Sequence, residues 1–196
     1  MIVTIASFKG GVGKSTTALH LAAFLQERSP TLLVDGDLNR SALQWAARGK
    51  LPFEVVDEKQ AVKFARDFEH IVVDTPARPD SNELKTIAEG CDLLVLPTSP
   101  DALALGSTLQ MVEELQALST QYKLLLTLVP PKPSKVGDEA RAAIADASLP
   151  LFEGQIRRLA VFQKAALEGV PVRDLKDSYS AAAWRCYGDV GKEMMR

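Results

Sequence analysis

A chain of 196 residues, 46% hydrophobic and 24% charged, is long enough for one domain with a sizeable core. Its net charge of −2 excludes a chain that is basic throughout, and no apolar run approaches the ~20 residues that span a bilayer. The only cysteines, Cys91 and Cys186, lie far apart, which excludes a disulfide framework or a Cys-x-x-Cys site and fits a reducing cytoplasm.

The chain enters an apolar, β-branched run at once, Ile2–Ala6, which reads as a buried strand with no signal peptide before it. Ser7-Phe8-Lys9-Gly10-Gly11-Val12-Gly13-Lys14-Ser15-Thr16-Thr17 follows, and then Ala18–Leu25, which reads as a helix. Strand, glycine loop, Gly-Lys-Ser and helix in this order form a phosphate loop. Glycines let backbone N–H groups approach phosphate oxygens, and a helix starting near Gly13 aims its positive end at the same anion. Lys14 adds a full charge for the β- and γ-phosphates, and the Ser15 hydroxyl is placed to bind Mg²⁺. Phe8 stands where the standard pattern has its first glycine, and a second lysine, Lys9, opens the loop.

Thr31–Asp35 is the second strand, closed by the polar loop Gly36–Arg40 before a helix over Ser41–Arg48. Phe53–Val56 is a third strand, with a helix around Glu58–Phe68 carrying Ala61, Val62, Phe64, Ala65 and Phe68 at helical spacing. His70–Asp74 and Leu93–Leu96 are the fourth and fifth strands, ended by Thr75-Pro76 and Pro97. A helix over Ala102–Leu118 and a strand over Lys123–Val129 come next. Pro130–Ser134 is a stiff loop at the carboxyl edge of the sheet, before a helix near Val136–Ala147 and a short strand near Leu151–Ile156. A last helix is expected near Tyr179–Met195. The alternation predicts a single α/β domain over residues 1–196, a P-loop NTPase with a largely parallel, twisted sheet flanked by helices.

Ligands of such sheets bind at the carboxyl ends of the strands. Asp35, Asp37 and Asp74 all fall there. Carboxylates beside a triphosphate require an intervening cation, which groups Ser15, Asp37 and Asp74 around Mg²⁺. Asp74 follows the apolar run Ile71–Val73, as a Walker B aspartate does.

With Lys9 ahead of its glycines, the loop resembles the variant loop of the ParA partition ATPases and relatives such as MinD. Leu32–Asp37 resembles their Asp-x-Asp segment, although Leu38-Asn39 replaces Pro-Gln. Asp74-Thr75-Pro76-Ala77 resembles their γ-phosphate switch, and Pro97-Thr98-Ser99-Pro100 matches their pattern after strand five. The likeness is strong over residues 1–110 and weaker beyond, where Ile156–Leu159 and Gly169-Val170-Pro171-Val172 match a late Arg-rich segment and turn. It implies that ATP and Mg²⁺ are held by Lys9, Gly10, Gly11, Val12, Gly13, Lys14, Ser15, Thr16, Asp35, Asp37 and Asp74. Lys9, Lys14 and Asp37 would be catalytic, Asp37 positioning the attacking water with Asp35 as reserve. Lys9 would reach the partner's phosphates across an ATP-dependent homodimer.

The likeness further implies slow ATP hydrolysis, nucleoid DNA held without sequence preference, and a cytoplasmic, nucleoid-associated location. An adaptor of ParB type, or a small basic or coiled-coil protein, would stimulate hydrolysis so that a plasmid, a chromosome locus or a protein body such as a carboxysome is positioned. Residues 132–196 carry a net charge of +2 and residues 1–131 a net −4, so DNA would meet the C-terminal third. The basic stripe nominated there is Arg157, Arg158, Lys164, Arg173, Lys176, Arg185 and Lys192.

His20, His70, Trp45 and Trp184 read as structural, and too few cysteines are present for the iron–sulfur relatives of the family. The terminal helix, with Trp184, Tyr187, Val190 and Met194, reads as core packing because its polar face lacks the dense Lys/Arg of an interfacial helix, so no membrane is expected. Two rivals stay open: a membrane-associated positioning ATPase like MinD, and a metabolic P-loop enzyme of the dethiobiotin synthetase type.

Overall fold

In a computed structural model, which describes residues 1–118 and 120–196, the chain runs β1 (Ile2–Ser7), α1 (Lys14–Gln26), β2 (Thr31–Asp35), α2 (Ser41–Arg48), β3 (Glu54–Asp57), α3 (Glu58–Phe64) and β4 (His70–Ala77). It continues with α4 (Ser81–Glu89), β5 (Leu93–Thr98), α5 (Ala102–Leu115), β6 (Tyr122–Leu126), α6 (Val136–Asp146), α7 (Val161–Glu168) and α8 (Ser180–Met194). The strands form one parallel sheet in the order β3-β2-β4-β1-β5-β6. From β1 the chain turns to β2 on one side, and from β5 it turns to β6 on the other. The crevice between the carboxyl ends of β1 and β5 is therefore the topological switch point, and the glycine loop leaves β1 there.

Period-two alternation divides the core. Val95 and Leu125 face α1, α2, α7 and α8, whereas Leu94, Leu96, Leu124 and Leu126 face α4, α5 and α6. Leu32 and Val34 join Val56 beneath Phe64 and Phe68 near the sheet's edge. The run Thr17–Leu25 of α1 is buried all round, because α8 covers the side that the sheet does not. Gly191 makes that approach possible, since a Cβ there would lie 2.3 Å from the Phe24 ring.

Several elements differ from those expected for local reasons; β4, for one, runs on to Ala77 and α5 ends at Leu115. β5 runs through Pro97 to Thr98, because its pairing with β1 ends at Val95 and leaves β6 as the one neighbour there. β6 stops at Leu126, since Leu128 takes a left-handed φ of 52°. The helix around Glu58–Phe68 ends at Phe64 and finishes as a 3-10 turn, Ala65–Asp67. Leu151–Ile156 docks on β6 through one isolated bridge, Leu124 to Leu151, instead of forming a strand, because the Glu153 and Gly154 amides turn to donate to the Glu193 carboxylate. α4 was not anticipated, although Asp80 and Glu83 form a capping box at its start, a signal readable three residues apart.

His20 is fully buried and satisfied on both nitrogens. Nδ1–H donates to the Thr16 carbonyl at 2.7 Å and Nε2 accepts from the Val172 amide at 3.1 Å. The ring stacks on Tyr187 and meets Trp45 and Phe162 edge-on. Burial lowers its pKa from 6.5 to about 4, the Thr16 carbonyl opposing. The unfolded chain takes up this proton near pH 6.5 and the fold resists it until about pH 4, so stability falls as pH drops through that window. The contribution is about 3 kcal/mol. Asp74, whose pKa burial raises, acts with the opposite sign, so the informative comparison is between variants. The stability lead of the wild type over a non-titrating His20→Gln protein, read by urea unfolding at pH 7 and pH 4, is expected to shrink by about that amount. An unchanged lead would remove His20 from the acid response.

Candidate nucleotide site

The loop between β1 and α1 is built for an anion. Gly11 and Gly13 have φ of 78° and 86°, a left-handed geometry that glycine adopts without strain. A Cβ on Gly10, Gly11 or Gly13 would meet no atom within 4 Å, so the space against this backbone is open. Three other helices, α3, α4 and α5, have their first amides capped by Asp57, Asp80 and Asp101. α1 has neither a side-chain cap nor an acidic residue in its first turn, which leaves its amides free for phosphate. Lys14, its first residue, is buried, while Ser15 and Thr16 are half-exposed beside it. Thr127, 115 residues away and absent from the sequence expectations, holds the loop by donating to the Val12 carbonyl at 2.7 Å.

Asp74 is the most unusual group here. It is fully buried in β4, and neither carboxylate oxygen accepts a hydrogen bond of ordinary length and angle. Burial raises its pKa to about 7. The Ser15 hydroxyl and the Lys14 charge lower it, and the neighbouring Asp35 and Asp37 raise it further. A buried carboxylate so poorly satisfied is costly, and a divalent cation is the partner that such oxygens fit. Among the described residues no cluster of three or more His, Cys, Asp or Glu forms a protein cage. Mg²⁺ suits the site on that count, because it commonly takes one or two protein oxygens and completes its shell with phosphate and water.

Sheet register sets Asp35 on β2 opposite Asp74 on β4, but the two aspartates after β2 have different tasks. Asp35, expected among the nucleotide-binding residues, accepts from the Asp37 amide at 3.1 Å and the Leu43 amide at 2.9 Å. Each of its oxygens thereby accepts one backbone amide and helps to shape the β2–α2 turn. Asp37 engages one oxygen with the backbone and side-chain amides of Asn39. Its other oxygen has no partner among the described residues, and Leu38 beside it is 86% exposed. Asp37 thus makes a turn and keeps an acceptor free.

Lys9 is held by an ion pair at 2.8 Å with Asp101, a residue that belongs to none of the sequence motifs. The Lys9 and Ser99 hydrogen bonds hold the Asp101 carboxyl down at about 2. Next to the loop opens a cavity of about 890 Å³, lined on its apolar side by Leu128, Pro130, Ile156, Leu159 and Phe162. Its size and position suit the base and ribose of a nucleotide whose phosphates lie on Gly11–Thr16.

Arg157 and Arg158 are exposed but line this same cavity. The rest of the nominated basic stripe is dispersed by acidic neighbours. Lys164 pairs with Asp177, Arg173 pairs with Glu27 and lies over Trp184, and Lys192 lies beside Asp189. Lys176 and Arg185 have no acidic partner among the described residues. The seven residues therefore do not form one uniformly free stripe.

The chain resembles known proteins over most of its length. A family profile described as the CobQ/CobB/MinD/ParA nucleotide binding domain matches residues 3–172. Maintenance of carboxysome distribution protein A of Gloeobacter kilaueensis is 34% identical over all of this chain and 94% of its own. The protein of the same name from Halothiobacillus neapolitanus is 28% identical over 88% of this chain and 87% of its own. The structure of a Cyanothece McdA variant with ATP superposes with a TM-score of 0.74 at 17% identity, covering 99% of this chain and 95% of the other.

Proposed function

The chain belongs to the CobQ/CobB/MinD/ParA nucleotide-binding family, and from that premise we propose that it is a positioning ATPase that dimerises around ATP, holds DNA without sequence preference and carries a cargo through an adaptor. It is an ATPase, like the members of its family. The observation that carries the mechanistic reading is the buried, poorly satisfied Asp74 carboxylate beside Lys14 at the uncapped start of α1. Lys14 and the amides of residues 10–16 hold the β- and γ-phosphates. Ser15, Asp37 and Asp74 would hold Mg²⁺. When bound, that cation neutralises charge on the phosphate oxygens. Asp37 orients a water and accepts its proton as the water oxygen bonds to the γ-phosphorus and the bond to the β–γ bridging oxygen breaks. Lys9, supplied by a second copy of the chain, stabilises the charge that develops.

For the cargo, the two relatives named for carboxysome distribution support a protein body of that kind, the first matched over this entire chain. The reading places residues 1–196 as one ATPase domain in the cytoplasm on nucleoid DNA, with a small adaptor stimulating slow hydrolysis. A membrane-bound alternative is disfavoured by α8, whose Ala183, Tyr187 and Val190 are spent in the core against α1. Among the described residues no helix is long and apolar enough to cross a membrane.

Light scattering and DNA binding test this together. Wild type is expected to be monomeric with ADP and dimeric with ATP, and Lys9→Ala monomeric with both. Only the ATP form should bind random-sequence duplex, with log affinity falling against log salt at a slope of about −4 to −5 if about 4–6 phosphates are neutralised. Arg157→Ala/Arg158→Ala should flatten that slope. Equal DNA affinity in both nucleotides would overturn the DNA role, and a dimer indifferent to nucleotide would favour a metabolic P-loop enzyme.

A further inference from the structure

We propose that Arg78 is a positioning residue that couples the segment after Asp74 to Lys9, an inference that rests on the ATPase reading. Three independent features converge on it. β1 and β4 pair in register from Ile2↔Ile71 to Ile5↔Asp74, and pairing then resumes at Ser7↔Ala77. One extra residue is thus accommodated on β4 directly after the buried carboxylate, a bulge of the kind that re-aims chain beside active sites. The Thr75 hydroxyl bridges it by donating to the Ile5 carbonyl at 2.8 Å.

Next, Arg78 has a φ of 59°, left-handed backbone that a long side chain rarely adopts, and it precedes Pro79, where extended backbone is preferred. Such a conformation persists only where the surroundings over-determine it. Here they do so through the third feature. The Arg78 amide donates to the Ser7 carbonyl at 3.0 Å, and its guanidinium Nε donates to the Phe8 carbonyl at 3.2 Å. Among the described residues the guanidinium has no acidic partner, so this reach to the loop is not a by-product of an ion pair.

Phe8 is the residue before Lys9, and the Ser7 hydroxyl donates to the Lys9 carbonyl at 2.8 Å. A continuous path therefore runs from Asp74 through the bulge and Arg78 to the backbone that carries Lys9. Charge arriving at Asp74 and Lys14 moves Thr75–Pro76, and Arg78 transmits that movement to the Lys9 ammonium, which pairs with Asp101. Arg78 touches no reacting atom in this scheme. It sets how strongly the loop responds to a third phosphate.

Arg78→Gly isolates the side chain, because glycine adopts φ 59° without strain and the fold keeps its backbone bond to Ser7. Its melting temperature is expected to equal or exceed that of the wild type. ADP affinity should stay within about twofold, while the preference for ATPγS over ADP and kcat each fall about tenfold. Arg78→Lys, whose ammonium can still donate to the Phe8 carbonyl, should recover part of both. Wild-type kcat and wild-type preference in Arg78→Gly would overturn the inference. So would a lower melting temperature with equal loss for both nucleotides, which would mark Arg78 as a packing residue. A wild-type protein without ATPase activity would overturn the ATPase reading itself, and this inference with it.

Discussion

Lys14→Ala is expected to abolish ATP binding and turnover. Lys14 is buried at the first position of α1, where no side chain caps the helix. It makes no hydrogen bond to any described residue, and within the chain its charge acts on the buried Asp74 carboxyl. Its role is to meet phosphate in a water-poor site, where a point charge is worth far more than at the surface. Without it the backbone amides alone face three or four negative charges, and Asp74 adds another. Losing one buried partner of a charge pair costs about 2–5 kcal/mol, so kcat/KM should fall by about 10³. Calorimetric titration with ATP and with ADP measures the binding loss. Folding should be retained, since no hydrogen bond of the ammonium is removed and the Asp74 carboxyl, whose pKa burial already raises, can take up a proton. An alanine variant that binds ATP within tenfold of wild type would show that the loop holds phosphate by its amides alone.

Asp37→Ala should separate binding from chemistry. Asp37 lies beyond the end of β2, with one oxygen in the turn to Asn39 and the other free. A general base removed from a preserved site costs about 10²–10⁴ in rate. ATP should still bind, and the protein should accumulate as the ATP-bound dimer. Asp35→Ala is the matched contrast. Its carboxylate holds the Asp37 and Leu43 amides, so removing it should lower the melting temperature more than it lowers turnover per folded molecule. Single-turnover hydrolysis with thermal melts on both variants decides the assignment. Wild-type turnover by Asp37→Ala would transfer the water-positioning role elsewhere.

The phosphate loop, the six strands and the three acidic strand ends were legible in the sequence because each is a local pattern. Glycine spacing between an apolar strand and a helix states its own geometry, and buried parallel strands read as short β-branched runs. The likeness of residues 1–110 to the ParA family was legible for the same reason. Tertiary structure alone decided what each charge is free to do. The resemblance ranked Asp37 above Asp35, but only the folded chain brings the Leu43 amide to Asp35. Lys9 meets Asp101 across 92 residues, and His20 meets Val172 across 152. Arg173 looked as available to DNA as Arg185, yet it is tied to Glu27 across 146 residues, while Arg157 and Arg158 line the nucleotide cavity. Local periodicity carries no record of such partners. A side chain's electrostatic role depends on what lies within a few ångströms of it, and that neighbourhood exists only once the sheet and its covering helices have assembled.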